Sequence, residues 1–194
     1  MNSVSAWAEL QLVLTAFRKL GIPYALGGSL ASSLWGVPRA TNDADVMVLP
    51  FPGREEKLAA CFPAEFYLSV QAVKDAVQKR RSFNIINTST GFKTDVFVSS
   101  GRPFDKSAFA RKAARDVSAA GTESVDVFSA EDVVLLKLEW FRAGGEASER
   151  QWLDVLGVLR SNWPALDRGY LSLWAKELGV PDLLAKALEE AEMP

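Results

Sequence analysis

Apolar positions along the chain recur first at helical spacing, then in short alternating runs, then at helical spacing again. Leu10, Val13, Leu14 and Phe17 mark one face of a helix over residues 4–20. Gly21 stands where a C-cap is wanted, and Pro23 cannot continue the helix. Tyr24-Ala25-Leu26 reads as a short buried strand running into Gly27-Gly28. Ser29 is placed to N-cap a short helix over residues 30–34, ended by Gly36 and Pro38. Arg39-Ala40-Thr41-Asn42 then turns into an apolar run, Ala44 to Leu49, which begins as a strand at Asp43-Ala44-Asp45 and is closed by Pro50 and Pro52.

Further on the pattern predicts helices near 54–61, 71–79 and 105–115, and strands at 66–69, 82–88, 93–99 and 124–128. Thr90-Gly91 supplies the hairpin connection between two of these strands. After residue 128 the alternation disappears. Ser129 caps a strongly apolar helix over 130–143, and helices near 147–161, 168–178 and 181–192 follow. The expectation is an α/β part over residues 1–128 and a helical part over 129–194 packed on it. Trp140, Trp152, Trp163 and Trp174 belong to the helical part, where packing in its core is the default reading for aromatics at helical spacing.

Composition narrows the chemistry. The chain has 194 residues and is 48% hydrophobic, enough for a sizeable core. Its 22 Lys and Arg against 24 Asp and Glu give a formal charge of −2, so no global basic field attracts duplex nucleic acid. A single cysteine, Cys61, rules out an internal disulfide and fits a reducing cytoplasm. Met1 to Leu10 lacks the charged-then-apolar order of a secretory signal, and no apolar run approaches the roughly 20 residues of a membrane span. A cytoplasmic protein without a membrane partner is therefore expected. Histidine is absent altogether, which excludes Ser-His-Asp and Cys-His catalysis and His-ligated zinc or haem. Carboxylates, lysine, arginine, hydroxyls and bound metal remain.

Two aspartates separated by one residue at a strand start point the same way, because strand side chains alternate faces. Close like charges in a half-buried place repel unless a cation neutralises them. Asp43 and Asp45 therefore suggest a divalent-metal site, with Asp95 in the later apolar run Phe92 to Val98 as a third candidate ligand. Hard oxygen ligands favour Mg²⁺ or Mn²⁺ over zinc.

Gly28-Ser29, a helix, Asp43-Ala44-Asp45 and the later Asp95 together resemble the signature of the DNA polymerase β-type nucleotidyltransferase superfamily. Ser129 to Leu138 is similar to the start of the helical region in its minimal bacterial members, such as abortive-infection and toxin–antitoxin nucleotidyltransferases. The resemblance implies an α+β nucleotidyltransferase fold, a mixed sheet with flanking helices followed by a C-terminal helical region. It implies Asp43, Asp45 and Asp95 as catalytic metal ligands for Mg²⁺ or Mn²⁺, and Asp95 as the base for an acceptor hydroxyl. Gly27 and Gly28 permit close backbone approach to a phosphate, and Ser29 can donate a hydrogen bond to it. The implied reaction moves an NMP from an NTP to a hydroxyl of an RNA end, a protein or a small molecule, with a toxin–antitoxin or phage-defence role and a cognate partner protein as the setting.

Two basic residues extend this reading. Lys137 sits among Val133, Val134, Trp140 and Phe141 at helical spacing, so it either snorkels outward or reaches a buried anion, a triphosphate or a carboxylate such as Asp154. Arg39, just ahead of the acids, contacts phosphate or is solvated. Ala44 stands between the acids where the family carries a larger aliphatic, and thirteen residues separate Ser29 from Asp43. Ala44 and the absence of a recognisable acceptor-binding motif support an alternative, a catalytically silent nucleotidyltransferase fold used as a binding module.

Overall fold

The computed structural model describes residues 3–117 and 124–192. In chain order the elements are α1 (Ser3–Lys19), β1 (Tyr24–Leu26), α2 (Gly28–Trp35), β2 (Asp43–Val48), α3 (Glu55–Ala59), β3 (Phe66–Tyr67), α4 (Val70–Lys79), β4 (Ser82–Asn87) and β5 (Lys93–Val98). They continue with α5 (Pro103–Arg111), β6 (Ala113–Asp116), β7 (Ser124–Val127), α6 (Ala130–Ala143), α7 (Glu149–Asn162), α8 (Arg168–Glu177) and α9 (Pro181–Glu190). Two compact units result: the chain up to Gly27 with Ala40–Val127, and Gly28–Arg39 with the chain from Phe128 onward. Residues 28–39, which the apolar pattern groups with the α/β part, thus belong to the helical unit. Among the described residues no helix is long and apolar enough to cross a membrane.

Among the described residues, the first unit is built on a mixed seven-stranded sheet of order β3-β4-β5-β2-β1-β7-β6. The central pair, β2 and β5, runs parallel, whereas β1 pairs antiparallel with β2 and β4 antiparallel with β5. Strict alternation explains why these segments are strands. On β2 and β5, Ala44, Val46, Val48, Val96 and Val98 are buried, while Asp43, Asp45, Lys93 and Asp95 occupy the other, half-buried face. Leu10, Val13, Leu14 and Phe17 of α1 are buried, and the Phe17 ring lies 6.1 Å from that of Tyr24. Asp105, buried at the start of α5, accepts hydrogen bonds from Ser99, Ser100 and Arg102, so this acid is used structurally.

The helical unit packs α2 and α6 to α9. Ser129 begins α6 as expected: its hydroxyl accepts from the Asp132 amide at 3.2 Å and donates to that residue's carboxylate at 2.7 Å. Buried Asp132 also accepts from the Tyr170 hydroxyl of α8 at 2.7 Å. Where α2 ends, the backbone comes very close to α7. A Cβ on Gly36 would stand 2.8 Å from the Gly157 carbonyl carbon and the Val158 nitrogen, so only glycine fits. Asn162 fastens the same end by donating to the Trp35 carbonyl at 2.6 Å.

Several expectations are corrected. The helix over 105–115 stops at Arg111, and Ala113–Asp116 instead forms β6, paired antiparallel with β7 at the sheet edge. All four β6 residues are exposed, so no alternation betrayed the strand, and sheet pairing overrode a helix-prone sequence. The strand at 66–69 is cut to Phe66–Tyr67 because Ser69 caps α4. Ser29 does not N-cap its helix. α2 already begins at Gly28, whose φ of +57° suits glycine, so Ser29 falls within the first turn. The late tryptophans are not core residues. Trp140 is 54% exposed, and Trp152, Trp163 and Trp174 are half-buried. Trp152 turns its indole N–H to Glu190 at 2.7 Å and Trp163 stacks 4.1 Å from the Arg168 guanidinium, so each ring keeps its polar edge or face at the surface.

Candidate functional site

The acidic residues come together through strand register. Because β2 and β5 are parallel neighbours, Asp45 lies directly beside Asp95, and Asp43 lies beside Lys93. Period-two alternation then puts all four side chains on one face of the sheet, over two adjacent strands. Thr41, in the loop entering β2, donates its hydroxyl to the Asp43 carboxylate. The loop after β1 is tied to the same strand, since the Gly27 amide donates to the Asp45 carbonyl at 2.9 Å.

Asp95 is held on both oxygens. Asn84, its register partner on β4, donates to Oδ1 at 2.6 Å, and the Lys93 ammonium meets Oδ2 at 2.6 Å. The hydrogen bond to Asp95 holds the Lys93 ammonium above the usual lysine range, against a partial burial that pulls it down. The charges of Asp95, Asp43 and Asp45 reinforce the upward shift. One ammonium therefore feels all three carboxylates. Among the described residues no group of three or more acidic, histidine or cysteine side chains is already gathered as a metal cage. Asp43, Asp45 and Asp95 nonetheless share one face of the sheet, with the Lys93 ammonium beside them. Neither Lys93 nor Asn84 was singled out in the sequence, where a lysine at a strand start reads as solvated.

In the helical unit the three polar residues expected at phosphate share one network. Asp154 of α7 is its hub. Arg39 grips it with two nitrogens, Nε to Oδ1 at 2.9 Å and Nη2 to Oδ2 at 3.0 Å, and the Lys137 ammonium reaches Oδ2 at 2.8 Å. Arg39 also donates to the Ser29 hydroxyl, joining the first turn of α2 to the same group. Burial pushes the Asp154 carboxyl up, but hydrogen bonds from Arg39 and Lys137 outweigh it and hold the group below its ordinary range. Of the two anions open to Lys137 in the sequence, the structure provides the carboxylate. Arg39 is not simply solvated; its side chain is 30% exposed and forked onto Asp154. Asp154, named in the sequence only as a possible partner, organises the whole cluster.

Comparison with known proteins adds the fold. No family model matches the chain, and no curated protein matches it. Among solved structures, the chain is similar to the antibiotic-resistance factor ANT(2'')-Ia, whose solution structure reveals substrate-regulated conformation dynamics. The match has a TM-score of 0.55 at 13% sequence identity and covers 98% of this chain and 99% of that one. At that identity the likeness speaks for the fold alone, an α+β arrangement of a mixed sheet with flanking helices and C-terminal helices.

Proposed function

We propose that the chain is a metal-dependent nucleotidyltransferase that moves an NMP from an NTP to an acceptor hydroxyl. The observation that carries this reading is the side-by-side register of Asp45 and Asp95, with Asp43 on the same face, in a fold shared with ANT(2'')-Ia. Asp43, Asp45 and Asp95 are the residues assigned to hold Mg²⁺ or Mn²⁺. Such an ion supplies Lewis-acid stabilisation of phosphate oxygens and of the pyrophosphate leaving group.

In this reading Asp95 accepts the proton of the acceptor hydroxyl, steadied by the Asn84 hydrogen bond. The hydroxyl oxygen bonds to the α-phosphorus as the bond to the bridging oxygen breaks, and pyrophosphate leaves. Gly27 and Gly28 allow close backbone approach to phosphate, and Ser29 and Arg39 serve as its donors. Lys137 serves phosphate through Asp154, the carboxylate that orients Arg39. The acceptor is a hydroxyl of an RNA end, a protein or a small molecule. A toxin–antitoxin or phage-defence setting with a cognate partner protein belongs to the same proposal.

Calorimetric titration of each NTP with Mg²⁺ tests it. Binding to the wild type that is lost in Asp43→Asn with Asp45→Asn is the expected result. Absence of NTP binding refutes the reading, and binding indifferent to the two substitutions favours a silent binding module instead.

A further inference from the structure

The acidic face carries its own cation. Lys93 and Asp95 lie two residues apart on β5, so both side chains emerge on the face that β2 supplies with Asp43 and Asp45. The pair closes at 2.6 Å, with the lysine side chain 40% and the aspartate side chain 20% exposed. Lys93 is also the register partner of Asp43, which places its backbone beside that acid. Asp95 keeps two different kinds of donor: a neutral amide on Oδ1 from the neighbouring strand and an ammonium on Oδ2 from its own. The first can stay in place when a metal ion binds, and it fixes the carboxylate's orientation. The second cannot, because a divalent ion and an ammonium repel each other across one oxygen.

We infer that Lys93 is a built-in counter-cation for the acidic face, offsetting one of its three charges through Asp95 in the metal-free protein and giving way when the divalent ion binds. Lys93 is then a positioning residue that sets the concentration of metal at which the site fills. The inference rests on the metal-binding reading above and adds a residue to it. Asn84 holds one oxygen throughout, so Asp95 exchanges only its partner on the other. The lysine stem is long enough to swing its head into solvent without moving the strand.

The test reads the metal directly. Mn²⁺ binding is followed by electron paramagnetic resonance, with and without NTP, in wild type, Lys93→Met, Lys93→Arg and Asp45→Asn, each first shown to melt as a folded protein. Removing a unit charge from ion-pair distance at a half-exposed site should tighten Mn²⁺ binding by about tenfold in Lys93→Met. Lys93→Arg, which keeps the charge, should stay near the wild type. Equal or weaker Mn²⁺ binding by Lys93→Met, in a protein whose binding still depends on Asp45, overturns the role of Lys93 and leaves the metal reading standing. Mn²⁺ binding that is absent from every form, or unaffected by Asp45→Asn, overturns both.

Discussion

Asp154 offers the sharpest test of how the helical unit is held together. Its carboxylate is 6% exposed, and it meets Lys137 at 8% exposure and Arg39 at 30%. Replacing it with alanine leaves an ammonium and a guanidinium facing each other with their shared anion gone. Breaking a buried ion pair by removing one partner costs about 3–5 kcal/mol, and the low end applies because Arg39 retains access to water. We expect Asp154→Ala to lose about 3 kcal/mol, a fall in Tm of roughly 6–12 °C for a chain of this size. Urea unfolding followed by tryptophan fluorescence suits the measurement, since Trp35, Trp140, Trp152, Trp163 and Trp174 all lie in the helical unit. Adding Lys137→Met to Asp154→Ala should recover about 1–2 kcal/mol, because the stranded ammonium is removed as well. A loss below about 1 kcal/mol for Asp154→Ala, with no recovery in the double variant, would refute the hub role.

The Asp154 carboxyl is depressed in the folded chain, so its contribution is complete above its ordinary value of 3.8 and is lost as pH falls through the lower folded value. The stability gap between wild type and Asp154→Ala should thus stay constant above about pH 5 and shrink in stronger acid; a gap that widens in acid would contradict the assignment. Gly36→Ala drives a methyl to 2.8 Å from the backbone of α7 and should cost about 1–3 kcal/mol by thermal melting; an unchanged melt would mean that the two backbones separate freely. Ser129→Ala removes the cap of α6 and should cost about 1 kcal/mol in urea, with equal stability as the contrary result.

What could be read from the sequence followed the physics of each element. Asp43-Ala44-Asp45-Val46 alternates because one face of β2 is buried, so period two is visible in the sequence itself. α6 was equally plain, with a capping serine ahead of it and glycines behind. β6 was hidden because an exposed edge strand carries no apolar stripe. The placement of α2 in the helical unit depends on the glycine-to-backbone approach at Gly36 and Gly157, which leaves only two small residues as its trace. At the candidate site the acids announced themselves by spacing, whereas Asn84 and Lys93 depend on register between strands. The Arg39–Asp154 pair spans 115 positions of sequence, a distance no local pattern encodes.

Asp43, Asp45 and Asp95 are proposed to form one divalent-metal site. Crystals grown with Mn²⁺ and a non-hydrolysable NTP, measured at the manganese absorption edge, address it directly. An anomalous peak is expected about 2.0–2.3 Å from oxygens of all three carboxylates, with the triphosphate on the same ion. Manganese located away from these side chains, or nucleotide bound with no ion against them, would contradict it.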